Sequence, residues 1–212
     1  EAKTRLINNP INTEGLIIPE TGQLRQIRSS SNQTTFLNVA NFYPAKAQVA
    51  LISAFAQAYR VRPEIRLLIA GAESTPAIAD KVRLLIRQHG LQDAVTLLGH
   101  CTREDLSRHY TESHGFLLPS IYEGYSVSAI EAATFGLPLI MTDVGGARDL
   151  ICDGDCGILL PPIVDDLARY TPEMIAEIGV MSENAATPSL TEALITVARD
   201  RDSWLERGFT AM

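Results

Sequence analysis

Two glutamates, Glu123 and Glu131, stand eight residues apart in PSIYEGYSVSAIEAATFGLP, residues 119–138, a stretch that is otherwise mostly apolar. A helix starting near Ser126 puts Val127, Ile130, Glu131 and Thr134 on one stripe, because residues three and four apart share a face. Glu131 then lies among core-facing neighbours. A buried carboxylate persists only where its oxygens find donors, and the vicinal hydroxyls of a sugar suit that need. The competing reading is structural: Ser128 and Glu131 fit the S-x-x-E capping box, in which the glutamate only satisfies the backbone at the helix start. Glu123 precedes the helix in EGYS, where Gly124 permits close backbone approach and the amides of Tyr125, Ser126 and Val127 point outward. Such a helix start attracts anions through unpaired donors and its dipole. Eight helical residues would separate the two carboxylates by roughly 12 Å, beyond the roughly 5 to 9.5 Å that a glycosidase pair spans. The pair suits an elongated ligand with hydroxyls at both ends and a charged middle, such as a sugar joined through a diphosphate to a nucleoside.

A cation for that middle is expected nearby. In FLNVANFYPAKAQVALISAF a strand ends near Asn41 and Lys46 opens the following helix. A lysine there serves as a mobile point charge on phosphate, or else as a solvated residue of a first helical turn. The loop VTLLGHC is similarly placed, and its backbone around His100 and Cys101 can read a nucleobase edge; His100 is assigned no catalytic role. Gly145 and Gly146, in TDVGGARDL, are candidates for close approach to phosphate or sugar. No Asp-x-Asp metal motif is evident: Asp165 and Asp166 are adjacent, and Asp153-Gly-Asp155 lies in a glycine-rich turn, both read as surface acids. No metal or other cofactor is expected.

These loops need a scaffold that gathers them. Short Val/Ile/Leu-rich runs alternate with segments of helical spacing, as in βαβ units around a buried parallel sheet. The expected strands are 4–8, 35–39, 65–71, 94–99, 115–120, 137–142 and 156–161; the expected helices are 45–60, 76–89, 103–112, 126–135 and 145–151. Gly90, and Gly136 followed by Pro138, supply stop signals. Residues 9–34 read as a long surface connection or small hairpin. Residues 162–212 read as helices broken by Pro172, Gly179 and Pro188, giving a sheet domain over 1–162 and a helical extension over 163–212 packed on it. A doubly wound α/β sheet of this kind, Rossmann-like, binds ligands outside the carboxyl ends of its strands.

The 212 residues are 46% hydrophobic and 20% charged, enough for one compact domain with a real core. A formal net charge of -7 argues against a protein that grips nucleic acid or an anionic membrane face. Three cysteines, Cys101, Cys152 and Cys156, without a CxxC pair read as reduced cytoplasmic thiols. No apolar run reaches the roughly 18 residues of a membrane helix, and EAKTRL has no secretory h-region. The chain reads as one that begins partway through a longer polypeptide.

Residues 119–162, PSIYEGYSVSAIEAATFGLPLIMTDVGGARDLICDGDCGILLPP, contain in order E-x7-E, G-x-P, a glycine pair followed by an acidic residue, and DG-x-x-G. This ordered set resembles the C-terminal, donor-binding domain of the retaining group-one glycosyltransferases of the GT-B fold, over about residues 5–162. The resemblance implies that Glu123 contacts donor-sugar hydroxyls, that Glu131 binds the ribose, and that the amides at Gly124, Tyr125 and Ser126 approach sugar and diphosphate. It implies transfer of a hexose from a nucleotide diphosphate donor with retention, the departing charge being stabilised by Lys46 and the helix start rather than by a metal. Glu123 and Lys46 are thus the candidate catalytic residues. Asn41, His100, Cys101, Gly124, Tyr125, Ser126, Val127 and Glu131 join them in donor binding.

Two departures stand out. The family usually has an arginine five residues before the lysine, both on the diphosphate, and this chain has Asn41 there. An N-terminal α/β domain, which in such enzymes supplies the acceptor site, is the expected partner within the same polypeptide, so this chain alone is expected to be inactive. Asn41 keeps open a second reading, a nucleotide-binding or partner-docking module that has lost catalysis.

Overall fold

A computed structural model describes residues 13–151 and 156–210. The expected strand at 4–8, Cys152 and the Asp153–Asp155 turn lie outside them. Six short strands, β1 (Thr34–Val39), β2 (Ile65–Ala70), β3 (Val95–Gly99), β4 (Gly115–Leu118), β5 (Leu139–Thr142) and β6 (Gly157–Leu160), form one sheet in the order β3-β2-β1-β4-β5-β6. Every pairing is parallel. Strands buried on both faces need no polar alternation, and so FLNV, IRLLIA, GFLL and LIMT read as near-continuous apolar runs.

The strand order reverses direction between β1 and β4, where Phe36 pairs with Gly115 and Leu37 with Phe116. Asn38, fully buried at this seam, donates through Nδ2 to the Leu117 carbonyl at 2.7 Å and ties the two central strands just below the crevice. Loops leaving the carboxyl ends of β1 and β4 diverge there, which makes the binding crevice of such a sheet.

Helices α2 (Gln48–Val61), α3 (Pro76–Gln88) and α8 (Thr187–Arg199) share one core with one face of the sheet. Helices α4 (Arg103–Glu112) and α5 (Val127–Thr134) pack on the other, with α1 (Thr21–Ser29) and α9 (Arg201–Thr210). The short α6 (Ala147–Leu150) follows β5, and α7 (Pro172–Gly179) covers a third, small cluster that includes Ala45, Ile121 and Ile175. Pro172 and Pro188 do not break helices. Each lies in the first turn of one, where a missing amide costs nothing. Gly179 ends α7 against the Pro44 backbone, where a Cβ would come within 2.4 Å of the carbonyl oxygen.

Helix α1 corrects the expected surface connection over 9–34. Its sequence, TGQLRQIRS, shows no apolar stripe because one of its two buried residues is an arginine. Arg28 is 0% exposed and has no carboxylate partner among the described residues. Instead it donates to the carbonyls of Tyr110 (3.0 Å), Thr111 (3.1 Å), Phe135 (2.8 Å) and Gly136 (3.4 Å). These are the last carbonyls of α4 and α5, groups that no helix can satisfy internally and that carry the negative end of each dipole. One guanidinium therefore closes two helices. Burial pulls its pKa down to about 10, which leaves it charged at neutral pH.

His114, at the amino end of β4, is also buried. Its Nδ1 accepts from the Thr35 amide at 3.1 Å, so its proton sits on Nε2 and is donated to the Arg28 carbonyl at 3.1 Å. Burial, with Arg201 and Arg28 nearby, pushes its pKa down to about 4.

Two stability predictions follow from these groups. Arg28→Ala should cost about 3–5 kcal/mol in urea denaturation, since it strips four buried carbonyls of a charged donor and leaves a cavity. His114 is neutral when folded and binds a proton more readily when unfolded. Its contribution is complete above pH 6.5 and is lost as pH falls towards 4, on the order of 3 kcal/mol. The urea midpoint of the wild type should fall across that window, and His114→Gln should flatten much of the fall.

Candidate donor-binding site

Lys46 does not open α2. It ends a 3-10 turn, Pro44–Lys46, and Ala47 adopts φ 50°, ψ 33°, so the helix begins at Gln48. A left-handed alanine costs about 1–2 kcal/mol. Two contacts stabilise the turn: the Ile121 amide donates to the Ala45 carbonyl at 2.7 Å, and Gln48 Nε2 donates to the Asn41 carbonyl at 3.0 Å. The first of these bonds joins the β1 loop to the β4 loop. It brings Lys46 Nζ within 2.5 Å of Glu123 Oε1, which also accepts from Ser120 Oγ at 2.7 Å. Ser120 is in turn fixed through its carbonyl by Thr142 Oγ1.

Two clefts flank this ion pair, and Lys46 and Tyr43 line both. One, about 390 Å³, lies over the ends of β1, β2 and β3 and includes Asn41, Gly71, His100, Cys101 and Leu106. The other, about 540 Å³, runs between the Glu123–Gly124 loop and the segment carrying Leu167, Tyr170 and Ile175. A larger cavity of about 780 Å³ opens at the opposite end of the sheet. Its arginines are mostly paired internally, Arg62 with Glu64, Arg199 with Asp200 and Arg201 with Asp202, and it lies away from every loop at the carboxyl ends.

Asn41 is exposed at its backbone position, but its side chain is in use. Oδ1 accepts from the Ala72 amide at 2.9 Å, clamping the β1 loop to the β2 loop. Gly71 permits that approach, since a Cβ there would sit 2.0 Å from the Ala40 carbonyl oxygen. Burial and Asp105 raise the pKa of Cys101, which keeps it a neutral thiol.

The Ser128–Glu131 capping box does not form. Ser126 is the N-cap of α5, accepting from the Ala129 amide at 3.3 Å, and Glu131 lies a full turn inside the helix. The core-facing stripe also differs from expectation: Ala129, Ala132 and Phe135 are buried, whereas Val127 is 57% exposed. Of the seven residues between the glutamates, only those from Val127 onward are helical.

Glu131 is 3% exposed and fully partnered. Arg103, at the start of α4, pairs with Oε1, and the Tyr110 hydroxyl donates to Oε2 at 3.0 Å. Burial and the adjacent carboxylate raise the Tyr110 pKa, which keeps that hydroxyl a donor. Arg103 and Tyr110 were not among the residues expected at this site. Their seven-residue spacing on one helix face was the available signal.

The glycine pair serves the scaffold. Gly145, at φ +54°, packs so closely that a Cβ would lie 2.3 Å from the Gly124 oxygen and 2.6 Å from that of Glu123. Gly146 faces the Tyr125 ring and donates its amide to the Gly124 carbonyl at 3.2 Å. The loop after β5 thus backs the Glu123–Tyr125 turn. Among the described residues no three His, Cys, Asp or Glu side chains converge as a metal site would require, and no helix is long and apolar enough to cross a membrane.

A six-stranded parallel sheet with helices on both faces and its charged crevice at the strand-order reversal defines a Rossmann-like α/β domain, the C-terminal half of a GT-B fold. The profile described as "Glycosyl transferases group 1" matches residues 21–179, and the chain belongs to that family. The D-inositol 3-phosphate glycosyltransferase of Mycobacterium sp. (strain KMS) is 32% identical over 130 residues, covering 60% of this chain and 29% of the relative. The C-terminal domain of a group 1 family glycosyl transferase (LpcC) from Francisella tularensis superposes with a TM-score of 0.66 at 16% identity, covering 95% of this chain and 96% of that domain. The pneumococcal O-GlcNAc transferase GtfA, solved in complex with UDP and GlcNAc, gives a TM-score of 0.63 at 22% identity over 86% of this chain and 33% of its own. The chain spans well under half the length of the curated relatives it matches.

Gly145→Ala tests the backing of the Glu123 loop. It should lower stability by about 1–2 kcal/mol from the left-handed backbone alone, with the clash adding to that. Gly22→Ala, in α1 with no atom within 4 Å of the added Cβ, is the control and should be neutral or stabilising in the same thermal melts.

Proposed function

We propose that this domain binds the nucleotide diphosphate sugar of a retaining hexosyltransferase. The observation that carries the reading is the Lys46–Glu123 pair, which stands between two clefts at the carboxyl ends of the sheet. The nucleotide occupies the smaller cleft, where the backbone at His100 and Cys101 faces the base and Glu131 serves the ribose. The diphosphate lies at Lys46 and at the amino end of α5, near Gly124, Tyr125, Ser126 and Val127. The sugar lies beside Glu123.

In this arrangement the charge that develops on the departing diphosphate meets a lysine and unpaired helix amides already in place, so stabilisation requires no metal. Sugar hydroxyls donate to Glu123, whose Oε2 takes no part in the hydrogen bonds among the described residues. An acceptor site must come from elsewhere in a longer polypeptide, which makes this chain inactive by itself, because transfer needs donor and acceptor held together. The odd number of cysteines, without a CxxC pair, and the acidic composition fit a cytoplasmic setting.

One observation favours a second reading, a nucleotide-binding module without catalysis: Asn41, which stands in the arginine position, is committed to Ala72. Assay of the full-length protein with a panel of nucleotide sugars separates the two, since product of verified mass excludes the module.

Calorimetry on this chain tests the binding reading. Lys46→Ala should weaken UDP by about 1.5–3 kcal/mol, the range for a hydrogen bond to a charged group. Glu123→Gln should leave UDP nearly unchanged and reduce only the additional affinity of UDP-glucose or UDP-N-acetylglucosamine. If neither variant changes any affinity, Lys46 and Glu123 form a surface ion pair and the reading fails.

A further inference from the structure

Both oxygens of Glu131 already hold a protein donor where a ribose would have to reach. Arg103 occupies Oε1 and Tyr110 occupies Oε2. The two partners are unlike. Tyr110 is fully buried and also points its hydroxyl at the Ser128 carbonyl (3.3 Å), so it is a fixed part of the α4–α5 contact. The Arg103 side chain is 39% exposed over a carboxylate that is 4% exposed, and so lies on the solvent side of the pair. Arg103, which also donates through Nε to the Glu14 carbonyl at 3.3 Å, is therefore the partner on the solvent side whose departure leaves the core closed.

Where it can go follows from helix geometry. Arg103, Leu106 and Tyr110 stand at i, i+3 and i+7 on α4 and share one face. Leu106 lines the smaller cleft with Lys46, His100 and Cys101. Arg103 is one turn closer to the amino end of α4, directly after the His100–Thr102 loop that forms the cleft wall. That cleft needs a second cation, since Lys46 is its one charged lining residue and the Asn41 side chain is held by Ala72.

We propose that Arg103 binds the phosphate of the nucleotide by an exchange of partners: its guanidinium moves from Glu131 to a phosphate oxygen, and the ribose hydroxyls take its place on Glu131. The proposal rests on the donor-binding reading above. Each charge keeps a partner throughout. A buried carboxylate left alone is costly, and so is an unpaired guanidinium, but hydroxyl donors satisfy the first and phosphate the second. Arginine suits the task better than lysine because its planar fork can bond carboxylate and phosphate alike. Without ligand, the same pair keeps the Glu131 charge partnered.

The exchange makes opposite predictions for ligands with and without phosphate. In Arg103→Ala, UDP should bind at least ten-fold more weakly by calorimetry. Uridine, followed by chemical-shift titration, should bind as well as to the wild type or up to several-fold better, because its hydroxyls no longer compete with a guanidinium for Glu131. Arg103→Gln, which can keep a hydrogen bond to Glu131 and preserve the fold should the alanine variant fail, should show the same division. Equal weakening of UDP and uridine in both variants would reduce Arg103 to a residue that merely shapes Glu131, and unchanged UDP affinity would remove it from the site; either result overturns the exchange. If the folded wild type binds none of UDP, ADP and GDP, the donor-binding reading and the exchange fail together. That outcome is distinct from failure of the exchange alone, in which the wild type binds and the arginine variants do not divide the ligands.

Discussion

Buried charge around α5 is the constraint on which this structure depends. Glu131 lies inside the helix, Glu123 just before it, and the Arg28 guanidinium at its end, all largely withdrawn from water. A charge in such a place is stable only with partners of good geometry. Each charge recruits a different element. Glu131 takes Arg103 and Tyr110 from α4, Glu123 takes Lys46 from the β1 loop, and Arg28 arrives from α1 to meet the carbonyl ends of both α4 and α5. The helices α4 and α5 are therefore pinned together at both ends by polar contacts, with Tyr110, Phe116 and Phe135 packed between them.

The same contacts shape the crevice. Because β1 and β4 are neighbours, their loops separate where the strand order reverses, and the Ala45–Ile121 backbone bond draws them together again just above. Lys46 ends on that bridge and, with Tyr43, lines the clefts on either side of it. A ligand entering here meets charges already paired with one another. On the binding reading proposed above, a ligand enters by exchanging partners with these charges rather than by meeting a lone ion.

Glycine placement supports this economy of space. Gly71, Gly145 and Gly146 stand in the loops at the crevice, and Gly179 at the end of α7, each where a Cβ would meet a neighbouring segment at less than a normal contact distance. The crevice is thus a set of backbones packed against one another, and its charged side chains are aimed by main-chain contacts.

The alternation of apolar runs with helical spacing, and the stop signals at Gly90 and Gly136, are sufficient to predict a parallel doubly wound sheet, the six strands described and five of the helices around them, because burial on both faces leaves a local signature in the chain. The meeting of Glu123 and Lys46 at one crevice was legible for the same reason, since strand ends converge in such a sheet. Helix α1 was not, because its inward face is built on Arg28, whose partners lie more than 80 residues away and whose residue type reads as surface. Nor could spacing decide between a capping and a ligand role for Glu131. The structure excludes the cap, since Ser126 takes it, and sets Arg103 and Tyr110 from α4 on the glutamate. What the sequence determined by itself was every feature set by local periodicity and turn chemistry. What only the tertiary structure decided was which charges meet, because pairing depends on distances between residues that no local pattern links.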